Sequence, residues 1–144
     1  MNGDYYRLPL RFRDIVEQKD HAKCEIKSSI AQNIHLISTT YLGECKFDQS
    51  FGCSVWEIDF NNFISDSSFK EHLKESLQNS IKKFEKRLRL TRLHIDIKQD
   101  SVLYYSSAKH VKKRINISIK GSIVKTDEPF EFYEYFYVSP LSYY

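Results

Sequence analysis

Near residue 87 the hydrophobic repeat of this chain changes from 3.6 residues to 2, and that change separates what can fold as helix from what can fold as sheet. Before it, in CEIKSSIAQNIHLISTTY, the residues Ile26, Ile30, Ile34, Ile37 and Tyr41 recur at steps of four, four, three and four. They line one face of a helix whose opposite side is polar. Gly43 follows the last apolar member and, having no Cβ, can take the left-handed conformation that ends a helix, so the spacing predicts a helix from about 24 to 41. One polar residue breaks the stripe. Asn33 falls at the angle of Ile26 and Ile37, and a buried amide there must find partners, with nearby loop backbone the obvious supplier.

A second stripe follows in SFKEHLKESLQNSIKKFEKRL, where Phe69, Leu73, Leu77, Ile81 and Phe84 share a face. Ser68 and Glu71 have the spacing of a capping box, which predicts a helix start near 67. Lys82, Lys83, Lys86 and Arg87 gather in the last turns, where the negative end of the helix dipole favours cations.

Beyond the change of period, RLRLTRLHIDIKQ alternates through Leu88 and Leu90 and then shifts phase to Leu93, Ile95 and Ile97, which predicts a bulge or bend near Thr91. RINISIKGSIV alternates through Ile115, Ile117, Ile119 and Ile123, and PFEFYEYFYV follows after the turn-like TDEP at 126 to 129. So short a connection excludes a parallel crossover, so these last two strands are expected to pair antiparallel. The fold class that results is α+β: N-terminal helices packed on a small, mainly antiparallel C-terminal sheet. The 144 residues, 41% apolar and 15% aromatic, suit one domain with a real core spanning 1–144.

The last strand is apolar or aromatic on both faces, with Phe130, Phe132, Phe136 and Val138 on one and Tyr133, Tyr135 and Tyr137 on the other. One face can enter the core, whereas the other needs either the helices or a partner protein to cover it. Charge is also unevenly laid out. Residues 109–125 carry six Lys or Arg and no acid, and 128–144 carry three Glu and no base. Neighbouring strands with complementary outer faces explain this: Lys112, Arg114 and Lys120 can face Glu131 or Glu134.

No stretch approaches the roughly 18 apolar residues needed to cross a bilayer, and the start, MNGDYYRLPLRFRD, lacks a signal peptide's apolar centre. The expectation is a soluble chain that stays in the cytoplasm. Three cysteines at irregular spacing do not make a disulfide framework, and free, mostly buried thiols are expected.

The segment YLGECKFDQSFGCSVWEIDF concentrates Cys45, Cys53, Trp56 and four carboxylates, yet it gives little support to catalysis. Cys45 and Cys53 lie eight apart with no close ligand pair, which argues against structural zinc. Glu44, Asp48, Glu57 and Asp59 could supply a carboxylate pair for glycoside cleavage, as a peptidoglycan hydrolase would need, but many loops hold four acids. There is no nucleophile elbow, P-loop or dinucleotide fingerprint, so no metal, cofactor or small-molecule substrate is expected. KHVKKR at 109–114 and EKRLRLTR at 85–92 allow a nucleic-acid-binding module as an alternative; the acidic strand beside them would cancel much of its field.

The run SSIAQNIHLISTTYLGECKFDQSFGCSVWEIDF resembles the core motif of the baseplate wedge family shared by contractile phage tails and type VI secretion systems, and the likeness extends over about 10–138. In that family a helix with an S-I-x-x-N pattern runs into a T-x-x-G-E turn and then an F-G element. Here these are Ser29, Ile30, Asn33 and Ile34, then Thr40, Gly43 and Glu44, then Phe51 and Gly52. The form FGCSVWE is most similar to type VI versions from Bacteroidetes. The family also carries Glu-Pro-Arg after its second long helix, and this chain has Glu85, Lys86 and Arg87 there.

The resemblance implies a non-enzymatic type VI secretion baseplate subunit at the inner face of the inner membrane. Its partners would be the other wedge proteins and contractile sheath subunits, and its sheet would start sheath assembly by strand-mediated contacts. Glu85 and Arg87 would serve contacts within the wedge, so that Arg87→Ala weakens assembly more than folding. Lys in place of Pro loses the rigid turn, and the helix is expected to run on slightly. Tyr133, Tyr135 and Tyr137 would form an interaction surface. Asn33, Gly43, Glu44, Phe51, Gly52 and Trp56 would shape the connection, with Gly43 ending the helix, Gly52 allowing a tight bend, Phe51 and Trp56 anchoring the segment, and Glu44 capping backbone or pairing with a base.

Overall fold

The computed structural model describes residues 4–17, 20–56, 65–103 and 109–138, with the backbone alone over 100–103 and 109–112. Its elements are β1 (Tyr5–Tyr6), α1 (Phe12–Val16), β2 (Lys23–Cys24), α2 (Ile26–Thr39), α3 (Asp66–Phe84), β3 (Leu88–Leu103), β4 (Lys109–Ile123) and β5 (Pro129–Val138). β1 and β2 form a two-stranded antiparallel sheet, and β3-β4-β5 form a three-stranded antiparallel one. The architecture is α+β, with the two long helices ahead of the main sheet.

Both stripes read from the sequence are buried. Ile30, Ile34 and Ile37 of α2 and Phe69, Leu73, Leu77 and Ile81 of α3 enter one core with Leu93 and Ile95 of β3 and Ile115, Ile117 and Ile119 of β4. Each such side chain contributes about 1.5–3 kcal/mol by leaving water, so this shared apolar layer holds the helices on the sheet. Phe130 and Val138 close it from β5, and Cys53 and Val55 from the segment between the helices.

The helix boundaries differ from those the spacing predicts. α2 ends at Thr39, with Thr40 already extended (φ −92°, ψ 130°), so Tyr41 lies beyond the helix and is exposed. Gly43 therefore does not terminate α2 but sits in the following turn with φ +88°. α3 is capped by Ser65, whose hydroxyl accepts the backbone N–H of Ser68 at 3.3 Å, so the proposed Ser68–Glu71 box is replaced by a cap three residues earlier. The stretch SDSSF offers three serines, and the one that precedes the first core residue by one turn is used. At its other end α3 stops at Phe84 rather than running on, because Glu85 (φ −119°, ψ 79°) leaves helical geometry there.

The sheet follows the alternation closely. The register of β3 against β4 shifts between Leu90 and Arg92, which places the extra residue at Thr91 and accounts for the phase change. In the turn before β5, Asp127 takes φ +53° and donates its backbone N–H to Ile123 O at 2.8 Å. Lys120 lies opposite Glu131, and their side chains meet at 2.7 Å. The three cysteines are free; Cys53 is buried, but Cys24 and Cys45 are only half-buried, contrary to the expectation of mostly buried thiols. The β1–β2 pair and α1 were not anticipated, since elements of two and five residues leave no period to read.

Candidate functional site

Where α3 hands over to β3, the backbone leaves the helix and turns the Glu85 side chain inward, leaving it 1% exposed. A carboxylate there must be fully paired. Arg87 grips it with both arms of the guanidinium, Nε to Oε1 at 2.8 Å and Nη2 to Oε2 at 2.7 Å, and donates its backbone N–H to Oε1 at 3.1 Å. Asn33 Nδ2 donates to Oε2 at 2.9 Å and to Phe84 O at 3.3 Å, so the polar break in the α2 stripe is satisfied by the end of α3. Arg87 Nη1 reaches Ser29 Oγ at 2.9 Å, and the guanidinium lies 5.1 Å from the centre of the Tyr5 ring. Ser29 and Asn33 stand one helical turn apart, and together they clamp the pair from the same side of α2.

Burial, the largest influence on Glu85, acts to raise its pKa, but the hydrogen bonds from Arg87 and Asn33 and the charge of Arg87 outweigh it. The carboxyl ends below the usual glutamate range. The hydrogen bonds to Glu85 in turn hold Arg87 above its ordinary value against partial burial. Within the ion pair Arg87 keeps 31% of its side chain exposed, against 1% for Glu85. Tyr5 had no sequence signal, because its approach to Arg87 is a product of the N-terminal chain path.

The connection from α2 is built around Gly52, whose φ of +116° and closeness to the preceding turn admit no side chain: a Cβ there would lie 2.4 Å from Thr40 O. This approach lets Cys53 N–H bond Thr40 O at 3.0 Å. Phe51 meets Phe84 edge to face at 5.0 Å, and Trp56 donates Nε1–H to Thr39 O at 3.1 Å. Glu44 caps backbone by accepting the Tyr41 N–H at 2.9 Å, while Gly43 N–H bonds Gln49 O at 2.8 Å. Asp48 accepts from the hydroxyl and the backbone N–H of Ser50, and these bonds, with Lys83 nearby, lower its pKa. Both described carboxylates thus serve local turns, and Glu57 and Asp59 lie outside the described residues.

The outer face of the main sheet carries Tyr133, Tyr135 and Tyr137, exposed at 64%, 53% and 48%. Tyr135 and Tyr137 pack edge to face at 5.8 Å, Arg114 stands 5.9 Å from the Tyr135 ring, and the Tyr133 hydroxyl donates to Asn116 Oδ1 at 3.0 Å. The row is therefore ordered, and no described element of the chain covers it. β5 is also an edge strand, paired on one side with β4. On its inner side Glu134 pairs with His35 of α2. Basic residues of the sheet have acidic neighbours within the chain: Arg89 meets Asp127 at 3.2 Å and, on the helix side, Lys113 meets Asp66 at 2.6 Å. Much of the charge that suggested nucleic acid is thereby used internally; the side chains of Lys109 and Lys112 lie outside those described.

The fold is thus a small antiparallel sheet backed by two helices, with an ion pair locked at the helix–strand junction and an aromatic row exposed on the outer face. The family model described as Baseplate wedge protein gp25 matches residues 24–128, and the chain belongs to that family. Ser29, Asn33, Glu85 and Arg87 all fall within the matched range. The chain is also similar in fold to the crystal structure of a candidate tail lysozyme from Geobacter sulfurreducens, with 16% identity and a TM-score of 0.60 over 85% of this chain and 100% of that one. No curated protein matches the chain. The chain is thus a phage-tail-like structural baseplate component by family, and no helix among the described residues is long and apolar enough to cross a membrane.

Proposed function

We propose that this protein is a non-enzymatic wedge subunit of a type VI secretion baseplate that binds the other wedge proteins and starts polymerisation of the contractile sheath. In this reading it works in the cytoplasm at the inner face of the inner membrane. The observation that carries the reading is the edge strand β5, with three tyrosines ordered yet exposed, in a member of the baseplate wedge family. An added strand would gain main-chain hydrogen bonds in fixed register along β5, and the tyrosine row would supply specificity through large, rigid side chains. Glu85 and Arg87 act at the α3–β3 junction: they fix the angle at which α3 enters β3, and of the two only Arg87 offers a partner some exposed guanidinium. Glu44 and Asp48, engaged in turn hydrogen bonds, favour a scaffold over a hydrolase.

The test is reconstitution. The protein should co-elute with its wedge partners and seed sheath assembly from purified sheath subunits, and a Tyr133→Ser, Tyr135→Ser, Tyr137→Ser variant should stay folded by circular dichroism at the assay temperature and lose seeding. Seeding unaffected by the triple change would refute the surface assignment. Peptidoglycan cleavage between acid and neutral pH would refute the non-enzymatic reading.

A further inference from the structure

Beside the edge of β5 an open groove of about 790 Å³ runs between α2 and the N-terminal segment. Its walls are Leu8, Leu10 and Phe12 on one side and Leu36 of α2 on the other, with Phe132 and the Glu134–His35 pair at the floor. The segment is fastened to α2 by the Leu8 N–H, which donates to Gln32 Oε1 at 3.0 Å. Phe12 is 70% exposed and Leu36 41%. A contiguous apolar surface of this kind marks a binding site more often than a solvated face. Leu8, Leu10, Phe12, Phe132 and Glu134 lie outside the range matched by the family model.

The sequence of the lip, RLPLRFR over 7–13, alternates these apolar residues with Arg7, Arg11 and Arg13 and contains no acid. Arg13 pairs with Glu17 at 3.0 Å, whereas Arg7 and Arg11 have no ion-pair partner among the described residues. At the floor the one acid already faces His35. Among the described residues Arg7 and Arg11 thus stand without an ion-pair partner in the stretch that supplies the lip, and the groove's lining is apolar apart from Gln32 and the Glu134–His35 pair.

We propose that this groove receives an amphipathic helix of a partner protein, with its apolar face against Leu10, Phe12 and Leu36 and acidic residues on its flank toward Arg7 and Arg11. An apolar groove of this kind suits the apolar face of a helix, with anchors at i, i+3, i+4 and i+7. Acidic flanks speed encounter and fix orientation, since charge complementarity contributes more to specificity than to affinity. This site lies on the inner side of β5, away from the tyrosine face, and it adjoins the edge assigned to strand addition; a peptide assay reads it without wedge or sheath proteins.

The probe is a designed helical peptide of about 16 residues, blocked at both ends, with Leu on one face and Glu on the flanks, and its twin with Lys for Glu. Fluorescence anisotropy with the full chain should show the Glu peptide binding at least about tenfold more tightly than the Lys peptide. Leu36→Asp should reduce that binding at least about tenfold, as should Phe12→Ser, a change at a side chain that contributes little to the core. Arg7→Glu with Arg11→Glu should abolish or invert the preference. No binding by either peptide, equal binding by both, or binding indifferent to Leu36 and Phe12 would overturn the proposal. So would a dimer in sedimentation that Leu36→Asp dissolves, which gives the groove to a second copy. Binding to phosphatidylglycerol vesicles lost in Phe12→Ser, with no peptide binding, would give it to a membrane surface and equally overturn the proposal.

Discussion

Replacing Arg87 by Ala removes two side-chain hydrogen bonds of 2.8 and 2.7 Å from a carboxylate that is 1% exposed. It leaves Glu85 with Asn33 at 2.9 Å and a backbone N–H at 3.1 Å. Breaking a buried ion pair from one side costs about 3–5 kcal/mol. Two features lessen this: the retained donors, and water, which can follow because the Arg87 side chain is 31% exposed. Protonation sets a ceiling on the electrostatic part, since neutralising a glutamate of ordinary pKa about 4.3 at pH 7 costs about 3.7 kcal/mol. The expected loss is about 2–4 kcal/mol, or roughly 5–15 °C in melting temperature for a chain of this size. Urea denaturation followed by Trp56 fluorescence measures it. A cycle with Glu85→Gln should return a coupling of about 2 kcal/mol or more, because once the charge is gone the guanidinium has less to compensate. A loss below about 1 kcal/mol with an unchanged m-value would refute the structural role of the pair and return Arg87 to a purely contact function. The resemblance-based expectation placed the effect of this change on assembly ahead of folding; the geometry predicts the reverse order.

Two further outcomes follow from the same geometry. The folded-state pKa of Glu85 is lowered, so the stability its ionised form contributes is complete above the ordinary glutamate pKa and is lost as pH falls through the folded value. The stability difference between the natural chain and Glu85→Gln should thus be flat near neutrality and shrink once pH drops past about 4.3, and a difference that grows on acidification would contradict the assignment. Gly52→Ala should cost about 2 kcal/mol or more, because its Cβ meets Thr40 O at 2.4 Å as well as straining φ, whereas Gly43→Ala faces open space and should cost about 1 kcal/mol. Equal losses by thermal denaturation would show that the contact at Thr40 relaxes freely.

The sequence by itself determined the two helices, the three main strands, the slip at Thr91 and the position of the turn before β5. Each of these is written in side-chain period or turn chemistry, which are properties of neighbours along the chain. It also marked Asn33 as a polar residue on an apolar stripe and, through the family pattern, Glu85 and Arg87 as a pair. Only the tertiary structure joined them, because Asn33 and Glu85 are 52 residues apart and meet where α2 crosses the end of α3. The same holds for the cap at Ser65, chosen by where the core begins rather than by the S-x-x-E spacing, and for the groove, whose walls come from three separate segments. Periodicity tells which side of an element is apolar, but which apolar surfaces are left over after packing depends on how all the elements come together.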